Sequence, residues 1–214
     1  MLQMLSRLRQ RRQRRLAKAA CTRAAQIALS RAASKRIVLS AGGVCQPDWI
    51  ATEHQFLDLC APEDWTNLFQ PASVAAMLAE HVWEHLSPAD AATAARHCLR
   101  YLQPGGYLRL AVPDGLHPDP RYIELVRPGG SGAGSADHKV LYTHESLAGV
   151  LRQAGFEIRL LEHFDAAGRF YFHEWDPRDG MIWRSLRYDE RNRDGQPHYV
   201  SIVLDAVKPP AARP

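Results

Sequence analysis

Residues 77–114 read MLAEHVWEHLSPADAATAARHCLRYLQPGGYLRLAVPD, and this stretch decides the fold. Met77 to Ala79 end an apolar run, after which Glu80, His81, Glu84 and His85 crowd together more ionisable groups than a buried strand tolerates. The switch marks the carboxyl end of a strand. Ser87 followed by Pro88 starts a helix, because the hydroxyl accepts from an orphan backbone N–H and proline fits the first helical position. Ala92, Ala95, Leu99 and Leu102 recur at helical spacing, and Pro104, Gly105 and Gly106 stop the helix with a turn. Tyr107 to Val112 is again apolar and strand-forming, closed by Pro113 and Asp114. Strand, helix and strand in this order form a parallel unit, and open parallel sheets bind ligands beyond the carboxyl ends of their strands.

Working outward, further strands are expected at Arg36 to Ala41, Trp49 to Glu53, Gln55 to Leu59 and Ser73 to Ala79, with a helical turn at Pro62 to Leu68. Only Gly42 to Asp48 separates the first two, fewer residues than a parallel crossover usually needs. The first helix must therefore be very short, and the amino-terminal helix is a candidate to cover the face it leaves open. After Asp114 the chain becomes loop-like, with Pro118, Pro120, Pro128 and a glycine-rich run at 129–134, where a lid over the strand ends would sit. A capped helix returns at Thr143 to Ala154, followed by strands at Phe156 to Phe164, Arg169 to Trp175 and His198 to Val207. The excursion DPRDGMIWRSLRYDERNRDGQP between the last two is rich in charge and glycine and is expected outside the core. The fold class expected is α/β: a Rossmann-like, doubly wound, mostly parallel sheet with an antiparallel last strand and an amino-terminal basic helix.

A chain of 214 residues with 46% apolar content builds one substantial core. The division expected is a basic helical arm at 1–35, one domain at 36–209 and a tail at 210–214. Residues 1–36 hold eleven Lys or Arg and no Asp or Glu, leaving 16 basic against 23 acidic residues in the remainder. Such an arm suits an anionic membrane surface, a nucleic acid or the acidic body itself; a frayed, solvated helix is the plain alternative. No run approaches the roughly 18 apolar residues of a membrane span. Four cysteines without CxxC spacing fit reduced thiols. The location expected is cytoplasmic, with a peripheral place at the inner membrane face as an option for the arm.

The segments AEHVWEHL, LQPGGYLRLAVPD and VLSAGG with DWIATE resemble the class I S-adenosylmethionine (SAM) dependent methyltransferases, especially small bacterial members of the type 11-like group, over roughly Arg36 to Pro209. The resemblance implies SAM as cofactor, held by a glycine turn after the first strand and an acidic residue after the second. On this sequence these are Ser40, Gly42 and Gly43, with Glu53 for the ribose, Asp58 near adenine and Glu80 beside them. The usual GxGxG is incomplete, Ser40 standing for its first glycine. It further implies a transfer site at His81, Glu84 and His85; Asp114, His138 and Tyr142, in or beside the expected lid, are of types suited to general base work or substrate contacts, and His173 beside the excursion is a further substrate candidate. Some relatives with a similar EH element hold a divalent metal, for which His81, Glu84 and His85 are the ligands here and His138 or His144 a fourth. The same letters also match an HxxEH peptidase motif, which needs a helix at a place where the pattern changes from strand. The plain alternative is that Glu84 and His85 hydrogen-bond within the fold. The activity implied is methyl transfer to oxygen or nitrogen of a small-molecule or a glycan- or lipid-linked acceptor. Two rivals are a non-catalytic SAM-binding or scaffold protein, and an RNA methyltransferase recruited by the arm.

Overall fold

The computed structural model describes residues 21–210 except residue 45. The basic residues from Arg7 to Lys18, and with them most of the expected arm, lie outside the described residues. Seven strands form one sheet: β1 (Arg36–Val38), β2 (Ile50–Ala51), β3 (Val74–Glu80), β4 (Leu102–Pro113), β5 (Glu157–Phe164), β6 (Phe170–Phe172) and β7 (Ser201–Val207), in the order β2-β1-β3-β4-β7-β5-β6. β1 to β4 pair in parallel, β7 runs antiparallel between β4 and β5, and β6 folds back on β5. Five strands thus point one way, and the expected Rossmann-like sheet with an antiparallel last strand is present.

The helices are α1 (residues 21–31), α2 (Pro62–Leu68), α3 (Pro88–Tyr101), α4 (Pro120–Val126) and α5 (His144–Ala154). Ser87 caps α3 by accepting from the Asp90 N–H, and Thr143 closes a capping box on α5 with Ser146. The period-two alternation of the strands sends their residues to two faces. Ile37, Met77, Ala79, Leu108, Leu110, Ile202 and Leu204 meet α2, α3 and α5 in the larger core, with Ala25 and Leu29 of α1 packed into it. Val38, Ala76, Leu78, Ala111 and Val203 face the other way.

Several expectations change. Gln55 to Leu59 is not a strand: Phe56 and Leu57 donate their N–H to the Glu53 carbonyl, and the Asp64 carboxylate accepts from the Asp58 N–H, so this backbone is satisfied locally. Its apolar side chains Phe56, Leu57 and Leu59 are buried all the same, and this gave the segment its strand-like pattern. No helix lies between β1 and β2 among the described residues. Among the described residues the second face is covered by the excursion and the residue before it, Ile182 and Trp175 being buried with Val38, Leu78 and Val203, while residues 21–31 pack into the larger core. The charge-rich excursion is therefore part of the second core. Finally, LQPGG is a bulge within β4, since Leu102 pairs with Val74 while Tyr107 pairs with Ala76. A Cβ on Gly106 would stand 2.8 Å from the Ala75 carbonyl oxygen, so that position needs glycine.

Candidate functional site

The carboxyl ends of β1 and β3 carry sharp turns. Ser40 (φ 49°), Gly42 (57°), Gly43 (83°) and His81 (55°) all adopt the left-handed backbone that side chains other than glycine rarely take. The Glu53 carboxylate accepts from the N–H groups of Gly42 and Gly43 at 3.3 and 3.1 Å, so the acid after β2 organises the glycine turn after β1. Two strained non-glycine residues facing each other across adjacent strand ends are a mark of a functional cleft.

Three clefts open here. One of about 710 Å3 is bounded by Ser40, Ala41, Gly42, Glu80, His81, Trp183 and Arg184. A second, about 490 Å3, lies between Ser40, His54, Asp58, Leu59, His81, Val82 and His85, with Lys139 at its rim. A third, about 250 Å3, is bounded by His81, Pro113, Val126, His138, Arg184, Arg191 and Tyr199. Ser40 is common to the first two and His81 to all three.

The excursion forms one wall. Glu80 accepts from the backbone N–H groups of Trp183 (3.1 Å) and Arg184 (2.8 Å), and the Arg184 guanidinium stands 3.6 Å from the same carboxylate. Gln46 exchanges two hydrogen bonds with the Met181 backbone, tying the turn after β1 to the same segment. His81 is held on both sides, its Nε2 3.0 Å from the Ser201 hydroxyl and its Nδ1 2.9 Å from Glu84 Oε1. Glu84 is fully buried, and despite that contact neither of its oxygens accepts a hydrogen bond of good geometry.

Of the residues expected at the site, Ser40, Gly42, Asp58, Glu80, His81, His85 and His138 line the clefts. Gly43 and Glu53 brace the turn, and Glu84 lies directly behind His81. Three do not reach them. Asp114 is fully buried and accepts from the Leu116 and Phe164 N–H groups at 2.9 and 2.7 Å, fastening the end of β4 to β5. Burial nonetheless raises its pKa. Asp114 is structural because both oxygens are consumed by backbone. Tyr142 is buried in the larger core, its pKa pushed up to about 12 by burial and then by the charge of Glu84. His173 is exposed just past β6 at the far edge of the sheet, with β7 and β5 between it and the clefts. Nor is His144 a fourth ligand, since its ring turns to the Phe164 carbonyl and His163.

Among the described residues, donor atoms of Glu84, His85 and His138 lie within 4.8 Å of one another, close enough to share one ion. His81 is outside this group, its two nitrogens facing Ser201 and Glu84. Sequence reading missed His54, Trp183 and Tyr199 as lining residues. Trp183 carried a signal, a large aromatic in a polar stretch, and it is 47% exposed.

No family model matches the chain, and no curated protein matches it. Among solved structures it is similar to a SAM-dependent methyltransferase from Archaeoglobus fulgidus (15% identity, 91% of this chain and 94% of that one, TM-score 0.47). It is similar also to a SAM-dependent methyltransferase from Thermotoga maritima described as a possible histamine N-methyltransferase (13%, 91% and 90%, 0.47). A third likeness is to a SAM-dependent methyltransferase from Mesorhizobium loti (11%, 81% and 90%, 0.49).

Proposed function

We propose that this chain is a SAM-dependent methyltransferase acting on oxygen or nitrogen of a small-molecule or a glycan- or lipid-linked acceptor. The observation that carries the reading is the meeting of three clefts at His81. SAM has an adenosine end and a zwitterionic methionine end joined at a sulfonium, so it needs two chemically different clefts and a third volume facing the methyl group.

The cleft between Asp58, Leu59, Val82 and His85 suits adenosine, with apolar walls and a carboxylate for exocyclic donors. The cleft at Gly42 suits the methionine end, because the Glu80 and Arg184 pair there can receive an ammonium and a carboxylate respectively. Bound there, SAM would supply an activated methyl group on its sulfonium, and Ser40 and His81, at the divide between the clefts, would face it. Alignment supplies much of the rate, since the donor is already activated. His81, common to all three clefts and held in orientation by Glu84 and Ser201, would position the acceptor beside the methyl group.

Calorimetric titration of the full chain with SAM, and separately with NAD, tests this. SAM binding is expected, with no heat for NAD. Gly42→Val is expected to abolish SAM binding while the protein stays folded, because a branched side chain at φ 57° projects from the turn that faces the cleft. Wild-type affinity in the folded variant refutes the placement.

A further inference from the structure

We propose that Glu84, His85 and His138 bind one divalent transition-metal ion that latches the segment after β4 onto the end of β3. Cation binding itself does not depend on the methyltransferase reading. The first support is the convergence of one carboxylate and two imidazoles from distant parts of the chain, with donor atoms within 4.8 Å of one another. The second is Glu84 itself, a fully buried carboxylate that stands 2.9 Å from the His81 Nδ1 yet makes no hydrogen bond of good geometry through either oxygen. A buried carboxylate left this way is costly unless a cation completes it.

The backbone holds the group in place. The Lys139 and Val140 N–H groups both donate to the Glu84 carbonyl, at 2.7 and 3.3 Å, pinning the strand of chain that carries His138 beside the short helical turn that carries Glu84 and His85. The His138 Nδ1 hydrogen-bonds the Val126 carbonyl at 2.7 Å, which fixes the tautomer and leaves Nε2 as the donor to a metal. The His85 ring meets His138 edge to face, with centroids 4.7 Å apart. An ion held at about 2.1 Å wants donors roughly 3.4 Å apart, so modest rotations of the two rings complete the site. Two nitrogen donors and one oxygen favour zinc, cobalt, manganese or iron over magnesium and calcium, which take oxygen.

His85 lines the second cleft and His138 the third, so the ion's remaining positions open toward both. The rival account is that the contact with the His81 imidazole suffices for Glu84. The two accounts differ in the role of His138, which contributes nothing to the contact between Glu84 and His81.

The test uses the full chain, stripped with chelator and titrated with cobalt(II) and zinc(II). One cobalt per folded chain, with a visible absorption band and a rise in melting temperature, is expected. His138→Ala and Glu84→Gln should each weaken cobalt affinity at least about tenfold, and His81→Ala should leave one ion per chain. Slower proteolysis within residues 129–134 in the presence of zinc would show the latch. The proposal is overturned by folded wild type that takes up no cobalt, by wild-type affinity in His138→Ala, or by loss of the ion in His81→Ala alone. SAM titration of the same samples separates the two readings: cobalt uptake without SAM binding sinks the methyltransferase reading and leaves this site standing.

Discussion

The two faces of the sheet are covered by different means. On one, α2, α3 and α5 lay apolar stripes over Ile37, Met77, Leu108 and Leu204, and the helices satisfy their own backbone. On the other, an irregular segment does the covering, and its backbone groups need partners from outside. The buried polar side chains supply them. Arg109, 3% exposed, donates to the Asp176 and Gly180 carbonyls and pairs with Asp205. Glu162 accepts from the Leu186 N–H and the Trp175 indole, both at 2.8 Å. Asn192 bridges Ser185 and Tyr199 through three hydrogen bonds. A face covered by helices is held by area, whereas a face covered by a loop is held by a small number of polar anchors. The first and third clefts are walled by this segment, and at the first Glu80 receives Trp183 and Arg184.

The contrast predicts different responses to truncation. The largest effect is expected from Trp65→Ala on the helical face. Trp65 is fully buried, stacks on Tyr101 at 5.1 Å and donates to the Leu59 carbonyl. Its loss should cost about 3–5 kcal/mol by denaturant melting. On the other face, Arg109→Met should cost about 3 kcal/mol, because Asp205 and two carbonyls lose their donor. Asp205→Leu added to Arg109→Met should recover part of that loss, whereas no second substitution of this kind restores Trp65→Ala. Equal recovery on both faces would erase the distinction.

The helical face was legible in the sequence and the other was not. Ser87, Pro88 and the alanine and leucine spacing gave α3, and the change from Ala79 to Glu80 located the end of β3 within a residue. These features are local. The excursion reads as solvent-exposed from its charge and glycine, whereas its backbone is held by polar side chains of other segments, Arg109 and Glu162 of the sheet and Gln46 of the turn after β1. At the site, the glycine turn and the Glu80 to His85 cluster were readable from their place after strands. The approach of His138 to Glu84 was not, since it depends on backbone pairing of Lys139 and Val140 with a distant turn. Asp114 is of a type suited to general base work and sits beside the expected lid, while the structure shows both its oxygens taken by N–H groups.

A smaller effect tests the bulge beneath the helical face. Gly106→Ala places a methyl 2.8 Å from the Ala75 oxygen and 2.9 Å from the Gln103 oxygen, both backbone atoms. The strand must shift to admit it, at about 1–3 kcal/mol. Gly105, with nothing within 4 Å of its absent Cβ, is strained only by its φ of 77°, so Gly105→Asn, a residue that tolerates this region, should cost less than Gly106→Ala. The reverse order would mean that the turn, not the close approach, selects glycine in LQPGG.

The smallest effect concerns acid, and it bears on the lid side of the molecule. His117 stacks on Tyr122 at 4.0 Å, and His163 stacks on Tyr171 at 5.1 Å with its Nδ1 buried and unbonded. Burial lowers the pKa of both. With folded values below the usual 6.5, both are neutral in folded and unfolded chains at higher pH. As pH falls below about 6.5 the unfolded chain binds protons that the folded chain refuses, so stability declines until the folded values are passed. Burial raises the pKa of Asp114 and Glu162, which acts in the opposite sense: their contribution is present at low pH and is lost as pH rises through their folded values. His163→Phe isolates the histidine term, since it keeps a ring on Tyr171 and removes the unbonded nitrogen. The variant should match or exceed wild-type stability near neutral pH and lose less on acidification from about pH 7 to about pH 5. Parallel melting curves for the two proteins across that interval would show that His163 accepts its proton equally well folded and unfolded, and that its buried nitrogen is reached by water.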